Sequence, residues 1–219
     1  MRTDAEIKQA VLHELKWDTH VDDAHVAVGV DQGVVTLTGR VPSWAQRVAA
    51  QKAAHRIAGV LDVANDLLVR PQATLGHSDT EIAQAVRSAL KWSVFVPDTR
   101  ITSTVSDGRV TLEGEVDYLA QREDAEKAVR NLAGVCGVIN AVQVIPPRAV
   151  APSDVRSAIA AALERRTERE VGRIHLDVQD GRVTVSGTVH TWAEHETVLG
   201  AAKGTPGVRS IDDQLRIEP

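Results

Sequence analysis

One cysteine, Cys136, is all the chain contains, which excludes an internal disulfide and a four-cysteine zinc site. Aromatic residues are nearly as scarce. Trp17, Trp44, Trp92, Trp192, Tyr118 and Phe95 make up 3% of the chain, leaving Val, Ala, Leu and Ile to build the cores and arguing against a large flat ligand site. No apolar run approaches the roughly 20 residues a membrane-spanning helix needs. The start, Met1-Arg2-Thr3-Asp4, leads at once into a helical pattern, so the chain reads as cytoplasmic, or as periplasmic if an export signal has been removed. Positive charge is not in surplus either: 25 Lys plus Arg face 30 Asp plus Glu, a formal net charge of −5. Nucleic-acid binding needs phosphate neutralisation, so no nucleic-acid partner is expected. With 43% hydrophobic and 25% charged residues, what remains is an ordinary globular composition over 219 residues, enough for one large domain or several small ones.

What the chain does have is internal repetition. Gly33-Val34-Val35-Thr36-Leu37-Thr38-Gly39-Arg40-Val41 returns as Gly108-Arg109-Val110-Thr111-Leu112-Glu113-Gly114-Glu115-Val116. It returns again as Gly181-Arg182-Val183-Thr184-Val185-Ser186-Gly187-Thr188-Val189. The same offsets superpose Ile7, Val11 and Leu15 on Ile82, Val86 and Leu90, then on Val155, Ile159 and Leu163. They also bring Gly59-Val60 onto Gly134-Val135 and Gly207-Val208. Two Pro-containing stretches interrupt regular structure and read as linkers, 71–78 and 146–152. The predicted units are therefore 1–70, 79–145 and 153–219.

Within a unit the spacing predicts αββαβ. Apolar residues four apart form one face of a first helix, with Asp4, Asp79 and Ser153 as N-caps. Two alternating segments follow, joined at Gln32-Gly33, Asp107-Gly108 and Asp180-Gly181; Asp-Gly is a hairpin signal. A second helix from about Trp44 to Ile57 leads to a third strand alternating Val63, Asn65, Leu67 and Val69. Strands one and two are then antiparallel, while the helical crossover makes strands two and three parallel. The expected fold class is α+β: three tandem αββαβ two-layer sandwiches, each a three-stranded mixed sheet covered by two helices on one face. Gly39, Gly114 and Gly187 fall on the apolar side of the second strand, where a missing side chain admits close approach of a helix.

The αββαβ order, the Gly-x-Val-Thr-Leu-x-Gly-x-Val hairpin and the Gly-Val before the third strand together resemble the BON domain, three times over. That resemblance implies a non-catalytic module of bacterial osmotically induced and nodulation-associated proteins. It also implies phospholipid binding through exposed parts near the second helix. On this reading Trp44 and Trp192, at the start of the second helix, present rings suited to a membrane interface. Arg40 and Arg47 lie close by in sequence to meet lipid phosphates at about 1 kcal/mol each. These four are the candidate lipid-binding residues, although rings at this position also suit simple packing of the helix start, since Leu119 takes the matched place in the second unit.

Other chemistry is thinner. His20, Asp22, Asp23 and His25, or His190, Glu194 and His195, carry metal-ligating groups, but neither set recurs between units, and no metal or other cofactor is expected. No nucleophile elbow and no phosphate-cradling loop occurs, so no enzyme activity is expected. Gly134-Val135-Cys136-Gly137 reads as a turn and Cys136 as incidental. Asn65, Asn140 and Asp213, polar on an apolar face, read as structural partners for backbone. The expected partner is an anionic phospholipid surface, with affinity gained by linking weak sites, or alternatively another protein or peptide held by a scaffold of packed units; the oligomeric state is left open.

Overall fold

The computed structural model describes residues 2–70, 76–148, 150–166 and 174–218, with backbone alone at 164–166. The first unit runs α1 (Asp4–Trp17), β1 (Val26–Asp31), β2 (Val34–Val41), α2 (Trp44–His55) and β3 (Asp62–Val69). The second is α3 (Asp79–Trp92), β4 (Ile101–Ser106), β5 (Arg109–Val116), α4 (Leu119–Arg130), β6 (Gly137–Asn140) and β7 (Gln143–Val144). The third is α5 (Pro152–Arg166), β8 (Ile174–Gln179), β9 (Arg182–Val189), α6 (Trp192–Lys203) and β10 (Ser210–Ile217). Residues 71–75 of the expected first linker, and Ala149 of the second, lie outside the described residues.

Each sheet is mixed, with the second strand in the middle. β2 pairs antiparallel with β1 and parallel with β3, and β9 does the same with β8 and β10. In the second unit the third strand comes in two pieces, both parallel to β5, with Ala141 and Val142 between them. The fold class expected from the spacing is the one observed.

The first helices bury the residues the four-residue spacing selects: Ile7, Val11 and Leu15, then Ile82, Val86 and Leu90, then Val155, Ile159 and Leu163. They meet Val35, Leu37 and Val41 of β2 and the matched residues of β5 and β9. The first unit forms one apolar cluster of its own, whereas the second and third share a continuous one.

Two expectations need correction. The caps are Thr3 and Ser78, each in a reciprocal box with Glu6 or Glu81, and α5 starts at Pro152, which puts Ser153 inside its first turn. Asp4 and Asp79 serve the hairpin instead. Each carboxylate accepts from two turn amides, Gln32 and Gly33 at 2.8 and 2.9 Å, and Asp107 and Gly108 at 2.9 Å each. Both turn residues have positive φ, 47° and 79° in the first unit, the geometry that favours Asp-Gly. The second correction concerns Gly39 and Gly114. What approaches them is not a helix but the carbonyl leading into the neighbouring strand: an added Cβ would sit 2.0 Å from the His25 oxygen and 2.1 Å from that of Arg100.

Candidate functional site

The second helices position the candidate residues. Ser43 caps α2 by accepting from the Gln46 amide at 3.2 Å, and Thr191 caps α6 by accepting from Glu194 at 3.2 Å. In α4 the Gln121 side chain reaches back to the amides of Asp117 and Tyr118 at 3.0 and 3.2 Å. The first helical residue is thereby fixed as Trp44, Leu119 or Trp192.

Arg47 belongs to a clamp between helix and third strand. Its guanidinium donates to the Asn65 carbonyl, while the Asn65 amide donates back to the Arg47 carbonyl at 3.0 Å. Arg122 and Asn140 repeat both bonds at 2.9 and 2.8 Å. In the third unit His195, 6% exposed, contacts Asp213 through Nε2 at 2.8 Å. Asn65, Asn140 and Asp213 each also accept from the amide two residues on, at Leu67, Val142 and Leu215. The polar residue on the apolar strand face is thus a hydrogen-bonding post for both its own strand and the helix above.

Trp44 and Trp192 are half-buried at junctions between units. The Trp44 amide donates to the Val135 carbonyl at 3.3 Å, and its ring packs against the apolar cluster of the second and third units. Arg47 lies 4.9 Å over that ring. Trp192 stacks on His55 of the first unit with centroids 3.8 Å apart and planes 12° from parallel, and its edge meets His195 at 4.7 Å. Arg40 is exposed on the sheet face away from the helices. Trp44 and Arg47 are therefore together, Trp192 serves a different junction, and Arg40 stands apart.

Burial pushes the His55 imidazole below its usual range, against the carboxylates of Asp62 and Glu196. Hydrogen bonding from Arg56 holds Asp18 low, and Arg56 also bonds Glu14 at 2.8 Å, tying the end of α2 to that of α1. Burial raises the Cys136 thiol, the opposite of an activated nucleophile. Among the described residues, no three His, Cys, Asp or Glu side chains converge as a metal site would require, and no helix is long and apolar enough to cross a membrane.

The most exposed large apolar side chains lie elsewhere. Trp17 and Trp92, at the ends of α1 and α3, are 71% and 82% exposed; Val94 is 92% and Phe95 72% exposed, with Tyr118 also exposed. The sequence carried a signal for two of them. Trp17 and Trp92 stand two residues beyond Leu15 and Leu90, on the far side of the helix from the buried stripe.

The BON domain family profile matches residues 3–71, 78–146 and 153–219. The chain belongs to the BON domain family. It is 34% identical over 125 residues to the osmotically-inducible protein Y of Escherichia coli, an alignment covering 55% of this chain and 62% of that protein. It is 26% identical over 145 residues to the 21 kDa hemolysin of Actinobacillus pleuropneumoniae, covering 65% and 74%. The chain thus spans about three fifths of the first of these relatives. Among solved structures, CdsD, a structural protein of the type III secretion system of Chlamydia trachomatis, aligns over 98% of this chain and 93% of its own at 14% identity. Its TM-score of 0.27 is too low for a shared arrangement of the whole chain.

Proposed function

We propose that this tandem BON protein is a non-catalytic surface-binding protein that associates with anionic phospholipid in envelope protection or in osmotic stress, the latter being the setting named for the osmotically-inducible relative. The observation that carries the reading is the exposed apolar tip of the second unit, Trp92, Val94 and Phe95 with Tyr118 beside it. Contiguous exposed apolar side chains mark contact surfaces. Trp92 projects almost fully, and Val94, Phe95 and Tyr118 rim an open cleft shared with Lys203 and Thr205; such rings suit a bilayer interface, where Trp and Tyr are favoured. Exposed Lys91 precedes Trp92, and exposed Lys16 precedes Trp17 in the first unit, placing a cation beside each ring.

Among the residues picked from sequence, Arg40 is open to a lipid phosphate. Trp44, Arg47 and Trp192 contribute on this reading by holding units and helices in place. Sedimentation with vesicles of mixed neutral and anionic phospholipid at low salt tests it. The wild type and Trp44→Ala, Arg47→Ala are expected to bind, and Trp92→Ser, Phe95→Ser to lose most binding. Loss in the Trp44 variant with retention in the Trp92 variant would return the site to the second helix. A wild type that stays in the supernatant would reject lipid binding.

One observation favours a second reading. The units pack on one another through their second helices, as a protein-interaction scaffold would, leaving polar sheet faces and edge strands for a second chain or an extended peptide.

A further inference from the structure

The contacts between units are one joint used three times. Trp44, Leu119 and Trp192 share a repeat position (119 − 44 = 75, 192 − 119 = 73), as do Val48, Glu123 and Glu196, and likewise His55, Arg130 and Lys203. In every case the start of one second helix meets the end of the next unit's second helix or the turn behind it. From the first unit, Trp44 reaches Val135 and approaches Gly137 of the second. From the second, Glu123 pairs with Lys203 of the third at 3.0 Å. From the third, Trp192 stacks on His55 of the first, and Glu196 is near enough to favour the charged imidazole. The direction is the same at each step and returns to its origin. A head-to-tail contact that does so closes a ring.

Such a joint has two unlike halves, and each unit carries both. Complementarity between two units therefore does not depend on their lying in one chain. The three joints are also unequal. A continuous apolar cluster and an ion pair underlie the joint of second with third. A backbone hydrogen bond and the Trp44 ring serve that of first with second. The joint of third with first spans the longest stretch of chain, so closing it costs the most loop entropy. Among the described residues it also buries Trp192 Nε1, His55 Nε2 and His195 Nδ1 without hydrogen-bond partners, and the joint of first with second does the same to Trp44 Nε1 and Arg47 Nε, so both are weakened relative to that of second with third.

We propose that the joint of the third unit with the first is the one that opens, and that the halves it frees, the start of α6 and the end of α2, take a second copy of this chain. The groups facing His55 are Asp62, Glu196 and His195, the last held by Asp213. Burial works against a charged imidazole there, so acid loosens this joint.

Light scattering after size exclusion, with small-angle scattering, tests this on the full chain. The wild type is expected as a single compact chain at pH 7.5. Trp192→Ala and His55→Glu, the latter facing Glu196, are each expected to expand and to approach a doubled mass as concentration rises. Adding Glu196→Lys to His55→Glu restores the attraction and is expected to return a single chain. Variants that stay single and compact overturn the proposal, and expansion without association at any concentration overturns its second-copy part. Should the single variants fail to fold, the wild type decides. Association between pH 7.5 and 5.5 is expected, and an unchanged compact single chain at pH 5.5 overturns the proposal.

Discussion

Asn140 shows how much one side chain can be asked to do. Its amide donates to the Arg122 carbonyl on α4, its oxygen accepts from Val142, and its own carbonyl receives the Arg122 guanidinium. Asn140→Ala leaves the Arg122 carbonyl and the Val142 amide without these partners, while the guanidinium keeps its backbone acceptor, and is expected to cost about 1–3 kcal/mol, read as a lower urea midpoint at unchanged slope. Gly114 has φ of 132° and no room for a Cβ, so Gly114→Ala is expected to cost about 3 kcal/mol or more in the same measurement. The sequence made the structural role of the polar strand residue legible, because a lone amide on an apolar face must be satisfied. It did not reveal the partner. That Arg47 and Arg122 complete the clamp, and that His195 replaces them in the third unit, depends on how the second helix crosses the third strand.

At the scale of elements, periodicity carried most of the information. Alternation placed β2, β5 and β9, and four-residue spacing placed the buried faces of α1, α3 and α5. The ends were read less well. Thr3 and Ser78 stand one residue before the aspartates expected to cap, and both residue types satisfy the same pattern; only the returning hairpin shows that the aspartates are engaged elsewhere. Ser78→Ala is accordingly expected to destabilise the chain by about 1 kcal/mol, visible as a small drop in thermal midpoint. The far end of the first helix held the exposed tryptophans. Off-stripe position marked them, but exposure is decided by whether another element covers that side.

For the whole molecule, the joint at His55 makes stability depend on pH in a definite direction. Burial depresses the folded imidazole below its ordinary value of about 6.5, so between the two values the unfolded chain binds more protons. Stability rises with pH across that window. It is full above about pH 6.5 and declines as pH falls toward the folded value. His55→Phe keeps an aromatic ring beside Trp192 and removes the titration. Denaturant midpoints measured from pH 7.5 to 5 are expected to fall less for this variant than for the wild type. Units of about 70 residues are individually marginal, and the second and third accordingly share one apolar cluster.

Sequence alone determined the threefold repetition, the αββαβ order, the sheet topology and the core residues, because each is encoded by short-range periodicity and by comparison of one unit with the next. Only the tertiary structure decided that Trp44 and Trp192 face neighbouring units while Trp92 and Phe95 face outward, and that the joints run head to tail around all three. Those outcomes rest on contacts between positions far apart in the chain: repetition shows that Trp44 and Trp192 share one position and Trp17 and Trp92 another, but packing chooses which of them is covered.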